Sequence, residues 1–154
     1  MIVSIFTDAS VNITTGQSGY AFYIGCKEGK IQKAGKLKVL TKDSTTAELH
    51  CLANAIYTLT RSKFEGLTKV CVFTDSKISI QAINNAATFR DKGNREVLEE
   101  LRFLMMEYCI RYGHSIRDYR KFFDIKHIKA HTGKKDKLSL INNWCDKNAC
   151  KFSK

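Results

Sequence analysis

The sequence contains no proline, and no repeat, linker or low-complexity segment interrupts it. No apolar run approaches the roughly 18 residues that a membrane-spanning helix needs. A membrane-spanning helix and a repeat array are therefore not expected. Charged residues at 27% and aromatics at 10% also exclude a disordered chain. The opening Met1-Ile2-Val3-Ser4-Ile5-Phe6 has no basic leader and no small-residue cleavage site, so no signal peptide is expected there. It reads as a strand. Six cysteines are present, but none forms a Cys-x-x-Cys pair, so a zinc site is unsupported. Cys51, Cys71, Cys109 and Cys145 lie in apolar stretches, where a thiol is a small buried hydrophobe. With no export signal, a reducing cytoplasmic compartment is the expectation. Acidic residues are scarce too: 15 against 26 Lys and Arg, for a net charge of +11.

What is present suits one domain over residues 1–154. A hydrophobic fraction of 44% is enough for a core at this length. The positive surface attracts polyanions, with nucleic acid first. An anionic membrane is the weaker partner, because no basic amphipathic helix has a broad apolar face. The segment from Arg111 to Lys137 holds nine Lys or Arg against three acids, +6 of the total, with Tyr112, Tyr119, Phe122 and Phe123 interleaved. A lone charge run is usually a solvated loop over core aromatics. A phosphate-contacting surface is the alternative.

Periodicity predicts the elements. Ile2 to Thr7, Gly19 to Gly25 and Ile31 to Leu40 read as three successive strands of an antiparallel meander. Leu49, Leu52, Ala53, Ile56 and Leu59 then recur at helical spacing, with Ser44 and Thr45 as N-cap candidates. Lys69 to Thr74 reads as a fourth strand. Ser76 to Ala86 predicts a short helix and Asn94 to Arg111 a longer one. Phe122 to Ala130 predicts a fifth strand, and a last helix opens at Leu138 or Asn142. The order βββαβααβα implies an α/β fold: a five-stranded mixed sheet flanked by helices, with helical crossovers between parallel strands.

Four acids stand in separate segments, and each has an ordinary explanation. Asp8 ends a strand before a turn, where Asp is common. Glu48 follows Thr45 at capping-box spacing. Asp75 lies where a strand meets a helix, so it or Ser76 caps that helix. Asp146 lies on the polar side of the last helix. Together they say more. Strand ends and helix N-termini converge on one edge of an α/β sheet. Asp8 and Asp75 stand side by side if the first and fourth strands are neighbours, and Glu48 can point to the same place. Such a cluster repels itself unless a cation joins it. Hard oxygen ligands select Mg²⁺ or Mn²⁺ over zinc.

The neighbourhoods Thr7-Asp8-Ala9-Ser10, Thr46-Ala47-Glu48-Leu49, Thr74-Asp75-Ser76, Lys129-Ala130-His131-Thr132-Gly133 and Asn142-Asn143-Trp144-Cys145-Asp146 occur in this order. Across essentially the whole chain they resemble type 1 ribonuclease H. The resemblance implies a ribonuclease H-like fold and hydrolysis of the RNA strand of RNA–DNA hybrids. It implies Asp8, Glu48, Asp75 and Asp146 as ligands of two Mg²⁺ ions, with Mn²⁺ as a substitute, and His131 as a loop histidine aiding proton transfer or product departure. Two metals would act across the scissile phosphate, leaving 5′-phosphate and 3′-hydroxyl ends. Hybrid contacts are expected at Ala9, Ser10, Ser44, Thr45, Thr46, Ser76 and Lys77, and at Lys134 and Lys135. A monomer is expected, with no membrane partner.

The sequence also departs from the family pattern. Ala9 and Ala130 stand where glycine is usual, Asn143 where glutamate is usual, and Lys77 where a neutral amide is usual. The space between Asp75 and the long helix admits one short helix only, so the family's basic protruding helix is missing. The Arg111–Lys137 segment is the expected substitute. The alternatives are another nuclease of this fold, resolvase or integrase-like, and a non-catalytic hybrid-binding module.

Overall fold

The computed structural model describes residues 1–84, 91–129 and 136–154, with the side chains of 78, 82, 116 and 120 outside the description. Among the described residues, five strands form one sheet in the order β3-β2-β1-β4-β5. They are β1 (Ile2–Val11), β2 (Ser18–Cys26), β3 (Gly29–Lys36), β4 (Lys69–Thr74) and β5 (Phe123–His127). The first three form the expected meander, with β1–β2 and β2–β3 antiparallel. β4 and β5 add in parallel on the other side of β1. The helices are α1 (Ser44–Thr60), α2 (Lys77–Asn84), α3 (Lys92–Arg111), a four-residue α4 (Tyr119–Phe122) and α5 (Lys137–Ser153).

The two central strands show why the sheet is mixed. β1 is paired on both sides and buries Val3, Ile5, Phe6, Thr7 and Asp8. β4 follows the α1 crossover and returns parallel to β1, as such connections require. The main core lies between the sheet and α1 with α3, around Val3, Ile5, Phe22, Ile24, Leu52, Ile56, Val72 and Leu101. A smaller core on the opposite face holds Phe6, Ala21, Cys145 and Ala149, with Trp144 and Ile141 packed against it. It binds α5 to the sheet. Gly19 makes that contact possible, because a Cβ there would lie 2.0 Å from the Ala149 carbonyl oxygen. Backbone meets backbone, so no side chain fits.

The predicted elements shift at their ends. β3 stops at Lys36 rather than Leu40, and β5 at His127 rather than residue 130. α1 is capped by Asp43, whose carboxylate accepts from the Thr46 amide at 2.8 Å. Ser44 and Thr45 are therefore inside the helix, not caps. Asp91 and Asp136 cap α3 and α5 in the same way. The short α4 was not predicted; its four residues are too few to show a helical period. Among the described residues no helix is long and apolar enough to cross a membrane.

Candidate active site

The parallel register of β1 and β4 pairs Phe6 with Phe73. Two residues further on, it brings Asp8 beside Asp75, just past the end of β4. α1 then lays Glu48 over them. Ligand atoms of Asp8, Glu48 and Asp75 all lie within 4.8 Å of one another. Three acids from distant segments thus converge, as the adjacent-strand argument predicted.

Glu48 is in the second turn of α1, not the first, and it forms no capping box with Thr45. Its Oε1 accepts instead from the Ala9 amide at 2.9 Å. The same amide donates to Asp8 Oδ1 at 2.9 Å. One backbone N–H thereby holds two carboxylates together. The other oxygens, Asp8 Oδ2 and Glu48 Oε2, are buried without a hydrogen-bond partner among the described residues. A buried carboxylate oxygen left so is costly. A divalent cation bound by these oxygens removes the cost, so the donor set fits a hard metal.

The electrostatics agree. Asp8 is pushed up to about 7, first by burial, then by the charges of Asp75 and Asp146. Glu48 is raised well above its ordinary range, again first by burial and then by Asp8. Asp146, half-buried on α5, stands outside the triad of close oxygens, but its charge reaches Asp8. The site is three acids in contact and a fourth at its flank.

Several supports were not apparent in the sequence. The Cys51 thiol donates to the Asp8 carbonyl at 3.3 Å, and Cys145 to that of Phe6 at 3.8 Å. They fill the two faces of β1 beneath the carboxylates, and burial pushes both thiols up. The Thr46 hydroxyl lies 2.9 Å from Asp43 Oδ1 and also contacts the Asn94 side-chain oxygen, which ties α1 to α3. No spacing in the chain links Thr46 to Asn94.

The expected hybrid-contacting residues divide by position. Ala9, Ser10 and Ser44 line a cleft of about 490 Å³ with Ile13, Lys42 and Asp43. Ser10 also accepts a hydrogen bond from Ser153. Thr45 and Thr46 are half-buried at the α1 N-terminus. Ser76 caps α2 by accepting from the Ser79 amide at 3.2 Å, so Ser76 rather than Asp75 has that role. Lys77 is exposed. His131, Lys134 and Lys135 lie outside the described residues.

The described part of the basic segment begins at the end of the sheet away from the carboxylates. Arg111 donates to the Thr60 carbonyl at 2.9 Å, at the far end of α1 from Glu48. Twelve residues of helix separate that end from Glu48, roughly 18 Å. Lys121 pairs with Asp118 at the same end. Only the later part returns to the carboxylates, where the Ile128 amide donates to the Thr74 carbonyl at 2.9 Å. Phe122 and Phe123 are buried, and Tyr112 and Tyr119 pack against the core. The aromatics thus serve the core, because α4 packs them against α3, and they do not form a base-stacking strip.

This fold with this site defines a carboxylate nuclease of the ribonuclease H architecture. Solved structures share the fold. The N-terminal RNase H domain of Rv2228c from Mycobacterium tuberculosis, solved as a fusion with maltose binding protein, is 13% identical, with a TM-score of 0.70 over 99% of this chain and 93% of that one. LC11-RNase H1 in complex with RNA/DNA hybrid is 15% identical, with a TM-score of 0.70 over 97% and 94%. RNase H1 of the halophilic archaeon Halobacterium salinarum NRC-1 is 16% identical, with a TM-score of 0.62 over 98% and 96%. No curated protein sequence matches significantly. The RNase H family model matches residues 1–154, and the chain belongs to that family. It is accordingly a ribonuclease H enzyme.

Proposed function

We propose that the protein is a Mg²⁺-dependent endonuclease that hydrolyses the RNA strand of RNA–DNA hybrids, leaving 5′-phosphate and 3′-hydroxyl ends. The observation that carries this reading is the convergence of Asp8, Glu48 and Asp75 within 4.8 Å, with buried, unpartnered oxygens on the first two. A hybrid is also the ligand of one structural neighbour, LC11-RNase H1.

Asp8, Glu48 and Asp75 would hold the metal, with Asp146 completing the set from α5. When bound, two Mg²⁺ ions supply an activated water and charge stabilisation at the leaving 3′ oxygen; Mn²⁺ is a substitute of the same oxygen chemistry. The Ala9 amide keeps Asp8 and Glu48 oriented, and Cys51 and Cys145 exclude water beneath them. Ala9, Ser10 and Ser44 would meet the hybrid along the cleft, where small side chains permit close approach to 2′-hydroxyls. Thr45, Thr46, Ser76, Lys77, Lys134 and Lys135 extend that contact set. His131 is assigned to proton transfer or product departure on the family resemblance, tasks that imidazole chemistry suits. A reducing, cytoplasmic setting and a monomeric state complete the proposal.

Labelled hybrid, double-stranded RNA and double-stranded DNA, each with Mg²⁺ or chelator, test the proposal. Metal-dependent cutting of the hybrid alone is expected. Cleavage of all three, or of none, would reject it.

A further inference from the structure

On the opposite flank of α1 from α3 lies a groove of about 320 Å³, walled by edge strand β3 and the residues following it. Lys33, Lys36 and Lys38 line one side, and Tyr20, His50 and Tyr57 are among the residues opposite. All three lysines are exposed. Among the described residues none of them forms an ion pair, and no acid lines the groove. The three lysines supply the charge of the groove. Arg61 adds a fourth cation at the rim, its guanidinium 4.8 Å from the Tyr57 ring centre. Tyr57 is 48% exposed.

We propose that this groove binds a single-stranded nucleic acid segment, an unpaired extension of the hybrid held at the carboxylates. Two observations choose this occupant. The charge complements a phosphate backbone, and exposed aromatic surface stands beside it. A cationic groove with aromatic platforms is the arrangement that binds single strands without sequence preference. The proposal rests on the hybrid-nuclease reading for the class of its partner.

The test measures fluorescence anisotropy of labelled single-stranded RNA and DNA oligonucleotides across a salt series, in chelator so that nothing is cut. Lys33→Gln, Lys36→Gln and Lys38→Gln combined should weaken single-strand binding at least tenfold. Removing three phosphate contacts should also reduce the log–log salt slope by about two, at roughly 0.7 per contact. The corresponding Lys→Arg triple should retain both. Tyr57→Ala, an exposed change, should weaken binding several-fold and leave the slope in place, which a purely electrostatic patch would not do. Undiminished single-strand affinity in both the glutamine triple and Tyr57→Ala overturns the proposal. A polyglutamate peptide of equal charge binding as tightly as RNA also overturns it, in favour of an acidic protein partner. Hybrid cleavage by the unaltered protein is scored separately: groove binding without cleavage rejects the enzyme reading alone.

Discussion

Replacing Asp8 by asparagine should stabilise the metal-free protein while ending catalysis. The reason lies in burial. Asp8 is 5% exposed and is pushed from 3.8 to about 7 by desolvation and by Asp75 and Asp146. Between those two values the folded chain holds a proton that the unfolded chain has released. Stability therefore falls as pH rises from about 4 to about 7, and the full cost persists above. At ~1.36 kcal/mol per pH unit, the cost reaches roughly 4 kcal/mol. Asparagine carries no charge, and its amide can donate to Glu48. Allowing for an imperfect hydrogen bond, a gain of about 2–3 kcal/mol is expected at pH 8, or roughly 5–10 °C in melting temperature for a chain of this size. The assay is thermal unfolding of both proteins in chelator at pH 5 and pH 8, beside hybrid cleavage in Mg²⁺. The variant should melt higher at pH 8, by a smaller margin at pH 5, and cut nothing. A variant that melts lower than its parent at pH 8, or by the same margin at both pH values, would refute the electrostatic argument. Substantial cleavage would refute the metal assignment.

Three further outcomes follow from the same geometry. Adding Mg²⁺ should raise the melting temperature of the unaltered protein more at pH 8 than at pH 5, because protons compete for Asp8 and Glu48 at the lower pH; a pH-independent shift would count against those ligands. Gly19→Ala should destabilise the fold and reduce cleavage, since its Cβ would strike the α5 backbone at Ala149 and push Asp146 from the cluster; denaturant unfolding and kcat check it, and a variant with parental stability and turnover contradicts the close approach. Asp43→Ala should cost about 1 kcal/mol through the lost N-cap of α1, measured by the urea midpoint, with no loss signifying that Thr46 caps the helix by other means.

The sequence by itself determined a good deal. Its shift from near-alternating to helical periodicity marked the meander, α1, β4 and α3, because such patterns are set by which face each residue buries. Asp8, Glu48 and Asp75 were legible because each sits in a recognisable local setting. Local setting, however, is one-dimensional. Only the tertiary structure decided that Glu48 bonds the Ala9 amide across 39 residues instead of closing a capping box, because that choice depends on how α1 lies over β1. Only it placed Arg111 and Lys121 at the end of the sheet away from the carboxylates, since α4 and β5 carry the chain from the foot of the sheet toward its carboxylate edge. Lys33, Lys36 and Lys38 share a groove only because α1 supplies its opposite wall. Charge and periodicity are properties of the chain; convergence of carboxylates, and the burial that raises Asp8 and Glu48, exist only when strands and helices pack.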